Sequence, residues 1–172
     1  MGVELALAFS NLSRPETLSR YFFYVGLFNM VVAAAATVPV LIPQLGLPLK
    51  LQIWPGTWMF VAYFSFLIAG VAGFVVWSLI YYLLPRLFGK QKLSRFLSLF
   101  HLVAFESGVF GATALMGIYP GYWGGTYIHD GFGQFVVTRI IEWAVIPIGI
   151  FVAIALIATL TGVLNVILSS PE

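Results

Sequence analysis

Four long apolar stretches, separated by short segments that gather glycine, proline and charge, set the pattern of this chain. They cover about 21–42, 57–84, 96–118 and 140–168. Each is long enough to cross about 30 Å of hydrocarbon at a rise of 1.5 Å per residue. In hydrocarbon such a run satisfies its own backbone N–H and C=O groups only as a helix. The pattern therefore predicts an all-α, integral membrane four-helix bundle. With no internal repeat or low-complexity linker in sight, one transmembrane domain over residues 1–172 is enough.

Composition removes the soluble alternative. The chain is 61% hydrophobic and 17% aromatic but only 8% charged, where a soluble domain carries about a quarter. Lipids and other membrane proteins are the expected partners, and nucleic acid is not. Arg14 and Arg20 before an apolar run ending in Ala33–Ala36 resemble a signal peptide, but the stretch is read as a retained first span. The opening MGVELA lacks the Ser or Thr of a myristoylation signal at its sixth position.

Charge then orients the bundle. With a cytoplasmic N-terminus, Arg14, Arg20, Arg86, Lys90, Lys92 and Arg95 lie inside and only Lys50 and Arg139 outside, so N-in and C-in is expected. The location implied is the cytoplasmic membrane, crossed several times. Trp54, Trp58, Trp123 and Trp143 fall near the outer interface on this scheme, and Trp77 does not. The stretch 85–95 reads as a tight basic turn in which Pro85 ends one helix and Gly89 allows the reversal. QLGLPLKLQIWPGT and YPGYWGGTYIHDGFGQ read as outer loops. Ser13 and Glu16 have capping-box spacing around Pro15, so the first helix is expected to begin near Arg14.

Ala104, Gly108 and Ala112 on the third span, and Ala69 with Gly73 on the second, provide small-residue seams for close helix contact. Most of the sixteen Phe must then face outward, toward lipid or toward other membrane subunits.

AGVAGFVVWSLIYYLLPRLFG followed by LSRFLSLFHLVAFESGVFGATALMGIYPGYWGG resembles the tenth and eleventh helices of haem-copper oxidase subunit I, in the branch of C-type oxidases and nitric oxide reductase. Tyr81, Tyr82, Leu83 and Pro85 match the end of the first of those helices, and His101 and Gly108 match the second. The likeness covers roughly residues 60–124. The family's His-x-His haem ligands fall, without gaps, on Tyr63, Phe64 and Ser65. The resemblance thus implies the family's bundle without its haem ligands and argues against its reaction in this chain.

Few residues are left to carry chemistry. There is no Cys, and the two His lie at opposite ends of the expected third span and its outer loop, so no haem or metal ion is expected to be shared between them. His101 with Met30 remains a weak axial-ligand option, against a structural His101 held by Asn29 or Ser78. Glu106 falls near the bilayer centre, where a carboxyl is a functional candidate by default; the alternative is packing against Ser107, Thr159 or a partner. His129 with Asp130, and Arg139 with Glu142, read as solvated pairs. The expectation is a non-catalytic membrane subunit of a respiratory or other redox complex, with no cofactor in this chain and any haem in partner subunits. The alternatives are a haem- or quinone-binding electron-transfer subunit and a small transporter or channel subunit using Glu106.

Overall fold

The computed structural model describes residues 11–42, 52–90 and 92–170. Four membrane-length helices make up the fold: α1 Pro15–Leu41, α2 Trp58–Phe88, α3 Arg95–His129 and α4 Gln134–Ile167. No strand occurs among the described residues, which contribute one isolated bridge between Lys92 and Ser170. The chain is an all-α, multi-pass membrane protein.

All four helices extend past the expected limits, each for a local reason. Pro15 occupies the first helical position of α1, where its fixed φ costs nothing, and Arg14 rather than Ser13 stands at the N-cap. The helix begins where expected, but its N-cap residue makes no side-chain cap hydrogen bond. Pro85 does not end α2. Its missing N–H falls close to the end of the helix, which continues to Phe88 and closes when the N–H of Gly89, at φ 63°, donates to the Pro85 carbonyl at 3.2 Å.

The largest correction concerns α3. The tract read as an outer loop from Tyr119 stays helical to His129, and only 130–133 turns the chain into α4. Pro120 is absorbed in a π-helical turn, Gly117–Trp123, which re-registers the backbone around the absent donor. The glycines after it form a contact face. A Cβ on Gly121 would stand 2.8 Å from the Met59 backbone nitrogen, and one on Gly124 would collide with Pro55. α4 correspondingly starts at Gln134 rather than 140, with a tight turn at Glu142–Ala144. Of the other expected outer loop, residues 43–51 lie outside the described residues.

α1 packs chiefly on α2 and α3 on α4, and the two pairs meet through α2 and α3. Leu18, Phe22, Gly26, Asn29 and Ala33 bury one stripe of α1 at helical spacing. On the α3–α4 seam backbone meets backbone at Gly108, where a Cβ would stand 2.5 Å from the Ala155 nitrogen. Gly73 similarly accepts the Phe105 ring, at 3.4 Å from an added Cβ. These contacts explain the small residues seen in the sequence.

One end of the bundle is clasped by backbone. Leu93 N–H donates to Ser13 O at 2.8 Å, and Lys92 and Ser170 exchange two bonds of 3.2 Å. Lys90 Nζ donates to the Val166 and Ile167 carbonyls at the end of α4. The start of α1, the basic turn and the end of α4 therefore share one end, with Trp58, Trp123 and Trp143 toward the other. Outward faces stay bare: 11% of the most apolar window of α4 is buried, against 33% for α3.

Candidate functional site

Helix periodicity turns a set of polar side chains inward, where they tie helices in three layers. At the clasped end, Ser98 and His101 lie on the same face of α3 as Phe105 and Gly108. His101 is completely buried, and its Nδ1 lies 2.8 Å from the Tyr81 hydroxyl of α2. Asn165 of α4 donates to Ser98 Oγ at 2.9 Å and accepts from the Ser94 N–H at 3.0 Å.

Aromatic rings close around the imidazole. Trp77 stands edge-on at 4.3 Å between centroids, and Phe22 and Phe105 lie at 4.8 and 5.8 Å. The remaining side is Gly162, whose added Cβ would overlap the ring. His101 Nε2 is buried with no hydrogen-bond partner, and the ring lies against Gly162. Ser78, expected near His101, pairs instead with Ser19 at 3.2 Å. Met30, the other half of the axial-ligand option, is 51% exposed on α1.

The middle layer joins the other two expected residues to each other. Asn29 is fully buried; its Nδ2 donates to the Gly70 carbonyl at 2.8 Å and to Glu106 Oε2 at 2.9 Å. Gly70 belongs to a π-helical turn of α2, Phe66–Ala72, and such a turn offers carbonyls that the α-helical ladder leaves unpaired. Thr159, proposed as a partner of Glu106, donates to its own helix at Ala155 O. Glu106 is only partly buried. It lines an open cleft of about 430 Å³ with Phe28, Ser107, Phe110, Gly111 and Phe151.

The third layer lies toward the tryptophan-bearing end. Tyr63, one of the positions where the resemblance would put a haem ligand, lies 2.8 Å from Thr37 Oγ1. Thr37 in turn donates to Ala33 O at 2.9 Å, so the phenol is the donor of the pair. Both line an apolar cleft of about 550 Å³ with Val32, Met59, Phe66 and Phe110. Phe64 faces outward and is 57% exposed.

His129 also lies on α3, about 40 Å of helix rise from His101. Arg139 and Glu142 form an exposed pair at 3.2 Å. Among the described residues, no three His, Asp or Glu side chains converge. Sequence reasoning missed Asn165. The usable signal was its spacing from Gly162 and Ala158, the other buried positions in Val145–Ile167 of α4. Comparison with protein-family models and with curated proteins returns no match to this chain.

Proposed function

We propose that this chain is a non-catalytic subunit of a respiratory or other redox complex in the cytoplasmic membrane. It would be a haem-copper-oxidase-like bundle that has kept the helices and lost the haem ligands. Its partners would be other membrane subunits and lipids, and it would hold no cofactor of its own. The observation that carries this reading is the enclosure of His101. An iron ligand needs an open coordination direction from a ring nitrogen, whereas Nδ1 meets Tyr81 and the far edge lies against Gly162. The residues matched in the resemblance thus act as an interhelical tie.

The test is the visible spectrum of the assembly isolated in mild detergent. A His101→Ala chain that assembles should leave haem content per complex and the spectrum unchanged. Loss of one haem with the subunits still together would overturn the reading. One observation favours a second reading, a quinone-binding subunit: the apolar cleft beside Tyr63 would accept a lipophilic ring. Against it, the Tyr63 and Thr37 hydroxyl protons are both committed within the protein, leaving neither for a quinone carbonyl. A transporter using Glu106 would need a second protonatable group beside it, and its hydrogen-bonded neighbour is the amide of Asn29.

A further inference from the structure

Glu106 is tied on one side only. Oε2 accepts from Asn29, while Oε1 has no hydrogen-bond partner among the described residues. Ser107, next to it on α3, likewise makes no side-chain hydrogen bond there. Both line the cleft between Phe28 of α1 and Phe151 of α4, whose remaining walls are Phe110 and Gly111. Glu106 lies roughly 16 Å of helix rise from the start of α3, well inside the span. In hydrocarbon an acid at such a depth requires a proton or a cationic partner.

We propose that this cleft is the docking site of a partner membrane helix that brings a Lys or Arg side chain to Glu106. The inference rests on the reading of this chain as a subunit among other membrane subunits, and it names the face and the chemistry of the contact. Charge complementarity selects the occupant. A carboxylate with one oxygen unpaired, next to an unpaired hydroxyl in a phenyl-lined notch, matches a cationic donor on an otherwise apolar helix. A lipid chain would leave both polar groups unmet. A second copy of this chain brings no cation to that depth. Arg20, the deepest cation of α1, precedes Asn29 by about 13 Å of rise, and Arg139 precedes Phe151 on α4 by about 18 Å. The partner is therefore a different chain.

Photocrosslinking in intact membranes tests this. A benzophenone amino acid is placed at Phe28 or Phe151 on the cleft, and at Ile68 of α2 as a second exposed face. Cleft positions should crosslink to a transmembrane helix carrying Lys or Arg at the contact, and Glu106→Gln should lower that yield several-fold while the chain stays folded. Crosslinks only to lipid, to a second copy, or to a helix without a cation would overturn the proposal. So would an undiminished yield from Glu106→Gln. Protein crosslinks from Ile68 alone would end the docking proposal and leave the subunit reading standing. Protein crosslinks from none of the positions would count against both.

Discussion

At the residue scale, the tightest constraint is the pairing of Tyr81 with His101. Tyr81→Phe leaves Nδ1 of a fully buried imidazole without a partner, which costs about 1–3 kcal/mol. Replacing both partners with Phe removes the orphaned group as well as the bond, so the double variant should lose less than the sum of the single changes. Thermal unfolding in detergent of Tyr81→Phe, His101→Phe and the pair measures this. Strict additivity would show that the hydrogen bond does not couple them. The sequence marked both residues, through the resemblance and through the rarity of His, but it offered His101 Asn29 or Ser78 as partners and Tyr81 none. Depth along a span is legible from residue number. Azimuth across two helices is not, once a π turn lies in one of them, so Ser78 was misplaced by its depth and meets Ser19.

At the element scale, the spans were legible because apolar length is a strong signal, and their ends were not because the punctuating residues play other parts. Pro120 and its glycines carry every local mark of a loop. Packing of Gly121 on Met59 and Gly124 beside Pro55 holds them in α3, since only glycine lets those backbones approach. Gly121→Val should therefore force α3 and α2 apart and destabilise the bundle by about 1–3 kcal/mol. Gly133→Ala, at a position where an added Cβ meets nothing, should change little. The two unfolding midpoints in detergent decide between a packed helix and an open loop, and equal values would favour the loop. The π turn at Phe66–Ala72 is similarly invisible in an apolar run. Its trace is the Gly70 carbonyl, which accepts from Asn29.

At the scale of the whole molecule, the clasp fixes which parts share an end, and charge then predicts the side which that end faces. Ser13, Lys92 and Ser170 are joined by backbone bonds, so the start of α1, the basic turn and the end of α4 must lie on the same face of the membrane. Arg14, Arg86, Lys90, Lys92 and Arg95 collect around this clasp, and six of the eight cations of the chain lie in the segments leading to it. By the positive-inside rule this excess predicts a cytoplasmic clasp. Two of these cations also have structural contacts there: Lys90 caps the last carbonyls of α4, and Arg86 lies 3.6 Å from the Tyr82 ring centroid. Neutralising them one at a time would change packing as well as charge, so orientation is better read with single cysteines in the otherwise cysteine-free chain. Phe88 at the end of α2 and Asp130 after α3 are exposed at opposite ends. In intact cells a membrane-impermeant maleimide should label Asp130→Cys and spare Phe88→Cys until the membrane is permeabilised. Labelling of Phe88→Cys from outside, with Asp130→Cys protected, would invert the bundle and place the basic clasp on the far side.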